Sequence, residues 1–300
     1  MRFTPTTLLC ATALSFALET PAAAKVKVVV TYPYIASLVG EIAKDRADVT
    51  TLAKGDEDPH FVVPRPSFIG KLRQADLLII NGASLEIGFV PPLIRQANNP
   101  RIMPGAQGLV DLSQSVTLIE KPDKVSRSEG DIHPEGNPHF ILDWHKVPAL
   151  ARFVAAALAR VDGGGASTYQ NHLNAFLARW QLKSAAWDKQ AEPLRGKAVI
   201  QYHRLFDYFV RRTGLRIVGE LEPKPGIPPT SRHIEELIQG NAPGSVYLII
   251  TDAYHERKTP EGVAMKMSIP WTVLPHDVAA VPAAKDLPSL FDTLLASVRR

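Results

Sequence analysis

The hydrophobic and polar positions of this 300-residue chain follow two alternating periods. Short, nearly unbroken apolar runs read as strands covered on both faces. The stretches between them place apolar residues three and four apart and read as amphipathic helices. VKVVVTYP, ADVTTLA and ADLLIING predict three strands, with helices over YIASLVGEIAKD, PSFIGKLRQA and FVPPLIRQAN. Sequence rich in Gly, Ser, Pro and charge from Pro104 to Asn137 predicts an extended loop, mobile between Ile119 and Glu135. KVPALARFVAAALARVD gives a helix stopped by Gly163-Gly164-Gly165. The longest helical pattern runs from about Ser167, an expected N-cap, to Gln190. Leu173, Phe176, Leu177, Trp180, Leu182 and Trp187 supply its apolar surface. At 1.5 Å per residue it is roughly 35 Å long, enough to run the height of two lobes. Beyond Gly196 the alternation resumes, with strands over GKAVIQYH, LRIVGELE, SVYLIITD and IPWTVLP. RLFDYFVRRTG, RHIEELIQG and DLPSLFDTLLASVR are the accompanying helices. This order predicts α/β layering with mainly parallel sheets.

The first residues stand apart. Arg2, the apolar TLLCATALSFAL and the small residues Ala22-Ala23-Ala24 have the layout of a secretory signal, so residues 1–24 are expected to be removed and Lys25 to begin the mature, periplasmic chain. The apolar stretch is too short to span a bilayer. Cys10, the sole cysteine, lies inside it and is preceded by Leu9, which argues against a lipid anchor. The mature chain is therefore expected to hold neither disulfide nor thiolate ligand, which excludes cysteine-rich zinc folds. What remains suits two medium-sized lobes, 25–165 and 196–300, separated by a linking helix over 166–195. A hydrophobic content of 45% and a mean hydropathy of -0.03 are those of a water-soluble globular protein. The formal charge of +4 is dispersed, with no basic stripe of interleaved aromatics, so nucleic acid is not an expected partner. A monomer is expected.

The candidate chemistry is carried by histidine. Taken singly, a histidine is more often structural or exposed than a ligand, and most of the nine fit that description. His172 and His233 read as solvent-facing helix residues, His133 as an exposed loop residue, and His145 and His255 carry no signal. His60 in GDEDPHFVVPRPS, His139 in GDIHPEGNPHFILD and His203 in AVIQYHRLFDYF differ. Each sits at a loop or strand end, where α/β folds place ligands. Three neutral imidazoles would suit a borderline-soft cation such as Zn²⁺. They would also suit a zinc hydrolase with an open coordination position, but the chain has no HExxH or GxSxG signature.

GDEDPHFVVPRPSFIGKLRQADLLIINGASLE resembles the first ligand segment of the solute-binding proteins of zinc and manganese ABC importers. GDIHPEGNPHFILD and AVIQYHRLFDYF resemble the second and third, and EPKPGIPPTSRHIEELI matches a stretch of one branch of that family. The likeness runs over nearly the whole mature chain. It implies two α/β lobes joined by one long rigid helix, with metal in the cleft between them. His60 and His139 would be first-lobe ligands and His203 a second-lobe ligand. The fourth would be Asp277, with His276, Glu222 and Asp252 as the other residues in that role. Imidazole at all three matched positions favours Zn²⁺ over Mn²⁺. The implied function is periplasmic zinc capture and delivery to an inner-membrane ABC permease, without enzymatic activity. A manganese or iron carrier of the same fold is the alternative. Relatives read LDP after the second ligand, whereas this chain reads Leu142-Asp143-Trp144, which puts the local turn in question.

Overall fold

The computed structural model describes residues 24–122 and 133–299. The signal-peptide reading therefore falls, apart from Ala24, outside the described residues, as does most of the segment expected to be mobile. Strands β1 (Val26–Val30), β2 (Ala47–Thr51), β3 (Leu77–Ile80) and β4 (Leu109–Asp111) form one parallel sheet in the order β2-β1-β3-β4. Strands β5 (Ala198–Gln201), β6 (Arg216–Glu220), β7 (Leu248–Thr251) and β8 (Trp271–Val273) form a second in the corresponding order β6-β5-β7-β8. In each sheet the winding direction reverses between the first and third strands. A crevice opens beyond the carboxyl ends of strands at such a reversal.

Helices α1 (Pro33–Ala43), α2 (Pro66–Gln74), α3 (Val90–Ala97) and α4 (Val147–Val161) flank the first sheet. All four carry proline in the first turn, where the missing N–H has no intrahelical partner to lose. The long helix α5 (Ala166–Ala191) follows; its 26 residues extend about 39 Å. Helices α6 (Asp207–Thr213), α7 (Ser231–Gln239), α8 (Lys258–Met267) and α9 (Leu287–Val298) complete the second lobe. No described helix is long and apolar enough to cross a membrane.

The two-lobed α/β architecture expected from the sequence is present, with local differences. A 3-10 turn over Gly163–Gly165 leads into α5, so Gly165 is the N-cap and Ser167 lies inside the helix. Leu182 is 76% exposed and takes no part in the buried face. The 104–137 stretch contains β4, three residues long and easily hidden by the surrounding glycines. The sequence reading assigned nothing to α8 because Pro260 and Gly262 interrupt its pattern, yet a proline in the first turn is tolerated.

The lobes share the larger of two apolar clusters among the described residues, the smaller lying within the second lobe around Ile200, Ile249 and Val263. A continuous cluster of buried side chains runs from Val26 in β1 to Val298 in α9. Trp144 belongs to it and is wholly buried. The Trp144 ring lies 6.1 Å from Trp187 of α5, 6.4 Å from Phe209 of α6 and 5.8 Å from Phe291 of α9. Trp180 adds a contact 5.1 Å from Trp187. These indoles also have polar partners: Trp144 Nε1 donates to Asp188 (3.0 Å), Trp180 Nε1 to the Trp144 carbonyl (2.8 Å) and Trp187 Nε1 to Asp292 (2.7 Å). The turn itself is intact, since Asp143 Oδ1 accepts from His145 N (3.0 Å) and the Asp143 carbonyl from Lys146 N (2.9 Å). Arg212 of α6 grips the Asp143 carboxylate with both Nε (2.7 Å) and an Nη (3.0 Å), tying the second lobe to this turn.

Candidate metal centre

His60 lies in the loop between β2 and α2. Asp58 two residues earlier accepts from both the His60 amide and Nδ1, each at 2.9 Å, and Tyr32 Oη donates to the Pro59 carbonyl (2.8 Å). The loop thus holds the ring with Nε2 turned outward. Burial would raise the Asp58 carboxyl, but the hydrogen bonds from His60 outweigh it and hold it below its ordinary range. His139 opens a 3-10 turn over Phe140–Leu142. Its amide donates to Asn137 Oδ1 (2.9 Å), and Tyr208 Oη of α6 donates to the Asn137 carbonyl (2.9 Å). His203 lies two residues past β5, and its Nδ1 pairs with Glu222 Oε2 at 2.7 Å.

These three rings, from separate stretches of chain, lie close together. His60 is 5.1 Å from His139 and 5.2 Å from His203, centroid to centroid, and His139 is 6.4 Å from His203. His133 joins them, 5.4 Å from His60 and 6.3 Å from His139. One ligand atom from each of His60, His133 and His139 lies within 4.8 Å of the others. Neither His203 nor Asp277 belongs to that tightest group. The partly buried position of His133 corrects the expectation that it is an exposed loop residue. Burial, reinforced by His60, pushes His133 down to about 4. Burial and the surrounding imidazoles push His139 well below its usual value. Both are therefore neutral donors at physiological pH, the form a metal requires.

The carboxylate candidates are placed differently. Asp277 Oδ1 accepts from the Tyr34 amide (2.8 Å) in the first turn of α1 and from its neighbour's Val278 N (2.6 Å). It thus bridges the lobes by capping a first-lobe helix. Burial pushes its carboxyl well above the usual range. His276 Nε2 reaches the Glu57 carbonyl (3.2 Å). At the same junction Gly55 has no room for a side chain, since a Cβ would lie 2.1 Å from the Val278 carbonyl oxygen. Asp252 and Glu222 flank His255. Asp252 Oδ2 pairs with His255 Nδ1 (2.6 Å), and Glu222 Oε1 lies 3.4 Å from His255 Nε2. Burial opposes protonation of His255, but the two carboxylates raise it to about 9. Burial likewise opposes ionisation of Glu222, yet the bonds from His203 and His255 lower it to about 2. Glu222 is a backing group for His203, held by an imidazolium behind it.

A family model described as the periplasmic zinc-uptake complex component A, ZnuA, matches residues 28–298. The chain belongs to the ZnuA family. This is the kind of protein that the four sequence motifs resemble. The metal ABC transporter substrate-binding lipoprotein SsaB of Streptococcus sanguinis is 28% identical over 194 residues, 62% of this chain and 58% of that protein. The high-affinity zinc uptake system protein ZnuA of Yersinia pestis is 28% identical over 197 residues, 60% of each chain. The chain thus spans less than two thirds of the length of these curated relatives. The Mn-bound periplasmic metal binding protein of Candidatus Liberibacter asiaticus has the same fold, with a TM-score of 0.75 and 18% identity, over 91% of this chain and 97% of that one.

Within this ZnuA-family site, two histidines escaped the sequence reading. His255 carried no signal because its partners, Asp252 and Glu222, come from the ends of different strands. His133 lies within the second ligand segment, six residues before His139, and only the fold of that loop brings it inward. The Glu222 contact gives a direct expectation: Glu222→Gln weakens metal binding about 10- to 100-fold, the usual cost of losing the carboxylate behind a metal-binding imidazole. Competition against a chromophoric chelator measures it, and unchanged affinity would deny Glu222 that part.

Proposed function

We propose that the protein captures a divalent transition metal, zinc in preference to manganese, outside the cytoplasm and delivers it to the permease of an ABC importer. The convergence of His60, His139 and His203 carries this reading. For His60 and His203 the Nδ1 atom is tied to a carboxylate, which fixes the ring and leaves Nε2 as the donor. On this reading those three imidazoles hold the ion, with Asp277 as the carboxylate nearest by sequence to the family's fourth position. The lobes over 25–165 and 196–300 would act as the two sides of the cleft. Relatives are named for metal and zinc uptake, and a protein of like fold is described as Mn-bound, so the preference for zinc rests on donor chemistry. Nitrogen donors suit zinc, whereas manganese favours carboxylate and water. Glu222, the buried carboxylate next to His203, is already saturated by His203, His255 and the Gly226 amide (3.0 Å), which counts against an oxygen-rich shell.

The test is titration of the purified protein with Zn²⁺ and Mn²⁺ at equal free concentrations. One tightly held zinc per chain, retained against manganese, is the expected result. Preference for manganese would select the alternative carrier, and no binding of either would end the proposal. Metal-dependent turnover of an ester, peptide or phosphate substrate would favour the hydrolase reading instead.

A further inference from the structure

Among the described residues, His133 has no assigned part, although it lies beside His60 and His139 in the imidazole group. Its carbonyl accepts from the Gly136 amide (3.1 Å). The adjoining Glu135 carboxylate receives Ser84 Oγ at 2.9 and 3.0 Å, fastening this loop to the turn after β3. At the loop's base the Asn137 amide donates to the Ile119 carbonyl (2.8 Å), and Asn137 Nδ2 to Glu120 (3.1 Å). Gly136 adopts a φ of +120°, and a Cβ there would lie 2.7 Å from the Ile119 carbonyl oxygen. Such tethers give His133 a defined position beside the cleft.

The state of the ring is more telling. Its Nε2 is buried and has no hydrogen-bond partner, at the cost of an unsatisfied buried polar atom. An ion held at this nitrogen would satisfy it, as a metal satisfies the free nitrogen of a ligating histidine. His60 and His203, each tied at Nδ1 to a carboxylate, likewise have Nε2 left for an ion. Gly82, Ala83 and Ser84 have φ values of +83°, +52° and +61° in succession. For Ala83 and Ser84 this is an unfavourable conformation, of the kind that collects at functional sites.

We propose that His133 is a metal ligand, completing with His60 and His139 a three-imidazole donor set contained within the first lobe. The proposal rests on the metal-carrier reading and deepens it. An ion can be held by that lobe's own residues, with His203 contributing from across the cleft. Nitrogen from four histidines directs the site toward zinc and other borderline-soft divalent ions.

The test compares wild type, His60→Ala and His133→Ala, measuring zinc affinity by chelator competition and recording the visible spectrum of each protein loaded with Co²⁺. Wild type binds zinc, His60→Ala does not bind it tightly, and His133→Ala is weakened about 10- to 100-fold. The cobalt bands of His133→Ala shift in energy or intensity because a nitrogen donor has left the ion. The spectrum decides: bands identical to wild type, whatever the affinity, overturn the role of His133 and leave the carrier reading standing. Failure of the wild type itself to bind zinc removes both. Should the alanine variant not fold, His133→Asn poses the same question, since it keeps a polar side chain near Ala83 without an imidazole.

Discussion

His139→Ala is expected to weaken zinc binding by about 150-fold. Closed zinc sites are worth roughly 10–16 kcal/mol, so one ligand of four accounts for about 3 kcal/mol, and each 1.4 kcal/mol is a factor of ten. Among the candidate ligands His139 is chosen because it is buried and belongs to every donor set considered above. Truncation also removes a side chain from the packed base of the cleft. The metal-free variant should therefore be compared with wild type by circular dichroism and thermal unfolding. Matching metal-free proteins with undiminished zinc affinity in the variant would show that His139 does not touch the ion.

The largest loss of stability is expected from Trp144→Ala. Removing a fully buried indole costs about 3–5 kcal/mol through lost transfer free energy and the cavity left behind. For a chain of this size the melting temperature should fall by roughly 5–10 °C. The indole is also the donor to Asp188 Oδ1, so Trp144→Phe should recover most but not all of the loss. A denaturant titration checks both variants. A midpoint for Trp144→Ala close to wild type would mean that Phe209, Phe291 and Trp187 collapse into the space, and that the junction depends less on this residue than its burial implies.

The fold was legible wherever one period held over several turns or a whole strand. β1, β3, β5, β7, α4 and α5 declared themselves through uninterrupted apolar runs or a three-and-four spacing. β4 and α8 did not, because glycine or proline breaks the pattern while tertiary packing overrides it. The N-cap of α5 was misplaced at Ser167 because the preceding glycines form a tight turn that enters the helix directly.

The candidate site was legible to a different depth. His60, His139 and His203 stand beside proline or at the end of a strand, and such positions are fixed by local backbone chemistry. His133 occupies a loop whose path depends on Ser84, Ile119 and Glu120, all remote in sequence. His255 meets Asp252 within its own turn, but Glu222 reaches it only once β6 and β7 lie on either side of β5 in the sheet. Asp277 was put forward only through the family resemblance. Its contacts with the Tyr34 and Val278 amides were not foreseeable, since they depend on how the second lobe meets α1.

The aromatic cluster around Trp144 bears on how cargo leaves. Where two halves meet through a thin polar seam, they can swing apart like jaws and let their contents go. Here a dry wall of indole and phenyl rings spans the join, so prising the halves open would expose it to water. On the proposed carrier reading, unloading would then begin at the rim, where a docking membrane protein can pull on short loops without disturbing the hub beneath them.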